Sequence, residues 1–182
     1  MTGLRGSHAP VVASRRFSHS LLAAAVGVVV LAGSAQGATP LKTDVPAAPG
    51  PSLAQSLSLA QDALDDCAAR GYAASVSVVD STGLAKVVLR SDEQGKPPVA
   101  APKKAATAVA FDQAGSDMEA REKTDPAFAA QLAAHPDIYN DHPGSVPLHL
   151  NGVLIGGLAV ADVPHDVADA CARAALAKSP LN

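Results

Sequence analysis

The sequence predicts an α+β domain: a largely antiparallel sheet made from two hairpins and flanked by helices. Two observations carry this. Turn residues separate β-branched or apolar runs at two places, Asp80-Ser81-Thr82-Gly83 and Asn151-Gly152. Segments with helical apolar spacing stand before, between and after those hairpins. The order therefore reads helix, hairpin, helices, hairpin, helix, which no repeat or barrel pattern matches.

The first helix is expected from a Ser52 cap to about Arg70. Leu53, Leu57, Ala60, Leu64 and Cys67 recur at helical steps and predict its buried stripe, and Gly71 is a natural stop. Ala74 to Val79 (ASVSVV) reads as a strand, and Leu84 to Arg90 (LAKVVLR) returns beside it. Residues 91–102 read as a loop from their Pro and Gly content, and Lys103 to Ala114 as a helix. Ser116 with Glu119 resembles a capping box for a further short helix. Asp125 before Pro126 starts another, through Ala134. Val146–Leu150 and Val153–Val160 around Asn151-Gly152 give the second hairpin. Gly156 and Gly157 predict a bulge or a close backbone approach. Asp166 to Lys178 closes the chain as a helix with Cys171 on its apolar side.

The N-terminus reads as an export signal. Arg5, Arg15 and Arg16 precede the apolar run Leu21 to Ala32, and small residues follow, with cleavage expected near Ala35 or Gly37. Residues 1–37 are thus expected to be a signal peptide, 38–51 a flexible linker, and 52–182 one domain, periplasmic or secreted. Those first 37 residues hold three of the 14 Lys+Arg and none of the 17 Asp+Glu, so the mature charge is 11 − 17 = −6. Its aromatics are only Tyr72, Phe111, Phe128 and Tyr139. An acidic, aromatic-poor chain excludes nucleic acid as a partner class. GxGxxG, P-loop, HExxH and GxSxG motifs are absent, and no nucleophile–base pair is evident.

Three of the six histidines, His135, His142 and His149, are spaced by seven residues. Pro136, Pro143 and Pro147 forbid one continuous helix through them, so the spacing has no facial meaning. His135 follows a helix end, where an imidazolium suits the dipole. His149 lies on a strand, opposite Val146, Leu148 and Leu150 and alongside Pro147. His142 is in a Pro/Gly-rich loop beside Asp141 and Tyr139, free to offer a neutral imidazole, and is the best candidate for a metal ligand. His165 reads as a capping-region residue of the last helix.

Four segments carry a family resemblance: SVSVVDSTGLAKVVLRSD (75–92), KAATAVAF (104–111), VPLHLNGVLIGGLAVAD (146–162) and DACARAAL (169–176). They hold a VVD-x-x-G hairpin, a K-A-x-T-A helix start, a P-x-x-x-x-G-x-x-I-G-G strand pair and a D-x-C-A-x-A terminal helix, in that order. The chain resembles the GlcG/HbpS-like haem-binding proteins, also called the haem-degrading domain, over about residues 52–178. It departs from their pattern at Ser91-Asp92-Glu93-Gln94 and Gly144-Ser145, on loops that would border a pocket.

The resemblance implies a profilin-like α-β-α layering, assembly into a homo-oligomer, and binding of haem or a related tetrapyrrole in some members. The expected role is an exported, non-catalytic haem binder in binding, storage or sensing. The rivals are a haem-degrading or other small-molecule enzyme, and an oligomeric sensor or structural protein, with a sensor or membrane-protein partner, that holds no haem. Candidate cofactor-binding residues are Lys104, Thr107, His135, His142 and His149. Lys103 and Lys104 at an expected helix start would receive a propionate, and Thr107 would offer a pocket hydroxyl. In the resembled fold the terminal helices share one side of the sheet, which would bring Cys67 and Cys171 together as a disulfide. Two buried free thiols are the alternative.

Overall fold

A computed structural model describes residues 43–181. The expected signal peptide and the start of the linker lie outside the described residues. The elements are α1 (Leu53–Ala69), β1 (Ser75–Asp80), β2 (Ala85–Arg90), α2 (Ala100–Phe111), α3 (Gly115–Glu122), α4 (Pro126–Ala134), β3 (Ser145–Leu150), β4 (Val153–Ala161) and α5 (His165–Ala177). The four strands form one antiparallel sheet in the order β2-β1-β4-β3. The α+β class and both hairpins are as the sequence predicts. No helix among the described residues is long and apolar enough to cross a membrane.

Local chemistry explains most boundaries. The Ser52 side chain accepts from the Gln55 N–H, and the Gln55 side chain accepts from the Ser52 N–H, closing a capping box on α1. Gly71 follows at φ 83°, the left-handed region where a Cβ is costly. Asp80 Oδ1 accepts from the Thr82 N–H and hydroxyl and from the Leu84 N–H, folding the first turn. Asn151 and Gly152 both have positive φ, 53° and 77°, as a tight twisted hairpin turn requires.

The two faces of the sheet are filled differently. On one, α1 and α5 bury a large core with Val76, Val78, Val146, Leu148, Leu158 and Val160. Ala63, Cys67, Cys171 and Ala175 are fully buried there, and their small side chains let the two helices approach closely. The Cys67 and Cys171 sulfurs are joined at 2.11 Å, with Cα atoms 5.5 Å apart. On the other face, the register pairs small residues: Ser75 with Ala161, Ser77 with Ala159, and Val79 with Gly157. The α2 helix answers with Ala101, Ala105 and Ala108, all fully buried. A Cβ on Gly157 would stand 2.6 Å from the Ala105 carbonyl oxygen, so helix and strand touch through their backbones. This is the close approach that the paired glycines signal. One-residue slippage in β4 occurs too: Leu148 pairs with Gly156 but His149 with Leu154.

Four local expectations are corrected. Leu53 and Leu57 are exposed, and the buried face of α1 runs through Ser56, Leu59, Ala60, Ala63 and Cys67, so the stripe is rotated toward α5. The α2 helix begins at Ala100, before Lys103, because Pro102 sits in its first turn where a missing N–H costs nothing. Ser116 does not cap α3: Gly115 opens the helix and the Ser116 hydroxyl accepts from Arg173 instead. The end of the linker is tied down, with Pro51 buried, the Ser81 N–H donating to the Pro49 carbonyl, and Lys86 Nζ donating to the Pro51 carbonyl.

Candidate functional site

The site is built where the loop 135–144 crosses α2 and meets α3 and the start of α5. Hydrogen bonds from α2 and β4 fix that loop. Lys104 Nζ donates to the Pro143 carbonyl at 2.6 Å, and more weakly to the Val160 carbonyl at 3.4 Å. The Thr107 hydroxyl accepts from the Asn140 N–H at 2.9 Å and donates to the Lys103 carbonyl at 2.8 Å. The Val160 N–H donates to the Gly144 carbonyl at 2.7 Å. Gly115 at the start of α3 leaves no room for a Cβ against the His142 carbonyl, so the α3 backbone presses on the loop.

An aromatic cluster supports the other end. Phe111 meets Phe128 edge-on at 5.2 Å and Tyr139 at 4.9 Å. Met118, Phe128 and Leu132 are buried with them, and the Arg121 guanidinium lies 4.1 Å over the Phe128 ring. The Asp125 cap of α4, accepting from the Phe128 N–H at 3.0 Å, sets this orientation.

Two clefts flank His142. One, of about 320 Å³, is lined by the apolar Leu132, Pro136 and Tyr139 and the polar Lys103, Asp141 and His142. The other, of about 400 Å³, lies toward α5 and includes Lys96, Lys104, Asp162 and His165. His142 is half-exposed and belongs to both. Its ring stacks on that of His165 with centroids 4.7 Å apart. The Nδ1 atoms of both histidines face Glu119 Oε1, at 4.0 Å and 3.8 Å.

Burial is the dominant influence on Lys104. The residue is 4 % exposed, and loss of hydration lowers its pKa to about 8, against the opposing pull of Asp162, Asp169 and Glu119.

The candidates from the sequence are thus dispersed. Lys104 lies in the second turn of α2, buried and engaged by carbonyls, so it is not a helix-start receptor for a carboxylate. Thr107 is 1 % exposed with its hydroxyl used both ways, and it braces the loop rather than lining a cleft. His135 is the C-cap residue of α4, its ring edge-on to Tyr139 at 6.1 Å. His149 pairs with Asp112 at 2.9 Å and lines a separate depression with Arg173 and Leu176. Of the candidate histidines only His142 stands in these two clefts, and Lys104 lines the second from its buried position. Sequence reasoning did not bring His165 or Glu119 to it. His165 is the first residue of α5, after a Pro164 N-cap, and its side chain makes no cap.

Residues 52–177 match the family described as haem degrading protein HbpS-like, and the chain belongs to that family. Solved structures share the fold. The crystal structure titled as a PduOC:heme complex aligns with a TM-score of 0.66 at 24% identity, over 73% of this chain and 97% of its own. HbpS aligns at 0.63 and 25% identity over 78% and 98%. Protein ORFY of Klebsiella pneumoniae aligns at 0.65 and 19% over 76% and 96%. No curated protein sequence matches the chain.

Proposed function

We propose that the chain is an exported haem- or tetrapyrrole-binding protein that holds its ligand without transforming it, for storage or sensing. Membership of the HbpS-like family is the observation that carries this reading. The donor set beside the loop fits such a ligand. Leu132, Pro136 and Tyr139 offer an apolar lining, and Lys103 offers a cation for a carboxylate. His142 is 53 % exposed, so its imidazole is available as an axial ligand to iron. Bound haem would supply the redox-active iron. The chain's own residues would orient it and limit its exposure to water. Asp141 lines the same cleft, and its Oδ2 atom has no hydrogen-bond partner among the described residues. It would repel a propionate and so favour pairing with Lys103.

Assembly into a homo-oligomer belongs to this proposal. So do the periplasmic or secreted setting, which rests on the N-terminal pattern, and a sensor or membrane-protein partner. The test is a haem titration followed by absorbance. A saturable Soret band that moves in His142→Ala supports the reading, and no band refutes it. The family description also includes degradation, so reductant and oxygen are then added. A stable band fits a binder, whereas bleaching assigns an enzyme.

A further inference from the structure

We propose that Glu119, His142 and His165 form a binding site for one divalent transition-metal ion with the ligand preferences of zinc. The proposal goes beyond the haem reading and shares only His142 with it. The three side chains come from α3, the 135–144 loop and the first turn of α5. One ligand atom from each lies within 4.8 Å of the other two. The separations to Glu119 Oε1, 3.8 Å and 4.0 Å, exceed hydrogen-bond reach, so these atoms converge without satisfying one another.

The chemistry suits zinc. Two imidazoles and one carboxylate form a set that tetrahedral zinc takes, with bonds of about 2.0–2.2 Å and a fourth position left open. Such a shell places ligand atoms roughly 3.3 Å apart, which follows from tetrahedral geometry at that bond length. The separations to Glu119 Oε1 are 0.5–0.7 Å wider, and all three ligand atoms lie within 4.8 Å of one another. His142 and His165 are 53 % and 51 % exposed and Glu119 is 33 % exposed, so rotation of free side chains closes the shell.

The supporting backbone is already fixed. The Lys104 ammonium holds Pro143, next to His142, and Gly115 packs on the His142 carbonyl. Pro164 precedes His165 and sets the start of α5. Ligands that need little ordering lose less on binding.

The probe is zinc chloride, titrated calorimetrically into the haem-free chain. One zinc per chain is expected. Glu119→Gln and His165→Ala are each expected to weaken it at least tenfold, while thermal melts without zinc stay at the wild-type value. Both variants keep His142 and should still take up haem saturably with a Soret band, which separates this proposal from the haem reading. Absence of zinc binding overturns the proposal. So does a zinc whose affinity is unchanged by both substitutions. A zinc pattern as expected in a chain that takes up no haem supports the metal site and refutes the haem reading alone.

Discussion

The Lys104 ammonium is bonded to the Pro143 carbonyl at 2.6 Å, across 39 residues of chain. A buried cation on the sheet-covering helix therefore holds the loop that presents His142. The stem of the lysine fills the space that a smaller residue would leave, and its head satisfies carbonyls that would otherwise be buried without a partner.

Lys104→Ala is expected to lower stability by about 2 kcal/mol, from the lost stem packing and the orphaned carbonyls. Urea unfolding measures this. A loss below a few tenths of a kcal/mol would show that the loop does not depend on the bond.

The lowered pKa of Lys104 also predicts a pH trend. Below about pH 8 the group is charged in both the folded and unfolded chain, and the full cost of burying it is present. Between about pH 8 and the ordinary lysine value of 10.5 the unfolded chain binds the proton that the folded chain has released. Stability from this group thus rises with pH through that window, by about 3 kcal/mol at most. Compared with Lys104→Met, which has no such proton, the wild-type chain should gain stability between pH 8 and 10.5. A stability difference that stays flat with pH contradicts the assignment.

Haem binding, on the reading proposed above, should separate the histidines. His142→Ala is expected to shift the Soret maximum, whereas His149→Ala should leave it in place, since His149 is paired with Asp112 away from the clefts. The reverse pattern in absorbance would move the ligand to the far side of the domain.

Gly157→Ala is expected to cost at least about 2 kcal/mol, because its Cβ would meet the Ala105 carbonyl at 2.6 Å and neither backbone can yield cheaply. Gly95→Ala is the control, with nothing within 4 Å of its added carbon. Equal melting temperatures for the two variants would mean that α2 floats over the sheet.

The link between Cys67 and Cys171 spans 104 residues. Chain-entropy reasoning gives about 4.7 kcal/mol for such a loop, as an upper figure. Replacing both cysteines by alanine should lower the unfolding free energy by about 2–4 kcal/mol. Alkylation of the denatured, unreduced chain should add no mass. Two additions would show free thiols.

Sequence period and turn chemistry disclose the elements here because those signals are local. Asn151-Gly152 fixes its hairpin by backbone conformation alone, and Asp125-Pro126 starts α4 by the same logic. Where tertiary packing decides, the sequence misleads. Leu53 and Leu57 look like core by spacing, but α5 approaches α1 from the side of Ala63 and Cys67. Pro102 suggests a loop, yet its place in a first turn is harmless. The site was least legible. His142 is recognisable as a loop histidine, but its companions Glu119 and His165 lie 23 residues away on either side, and no periodicity connects three different elements. The fold alone brings them together.

The same disulfide joins the first helix of the domain to its last, so the chain between them is a closed ring. A single peptide-bond cut anywhere from residue 68 to residue 170 therefore releases no fragment. In the exported setting proposed above, a nicked copy would keep α1, the sheet and α5 at high effective concentration for one another. Resistance to cleavage then depends on the ring as a whole rather than on the rigidity of any one loop.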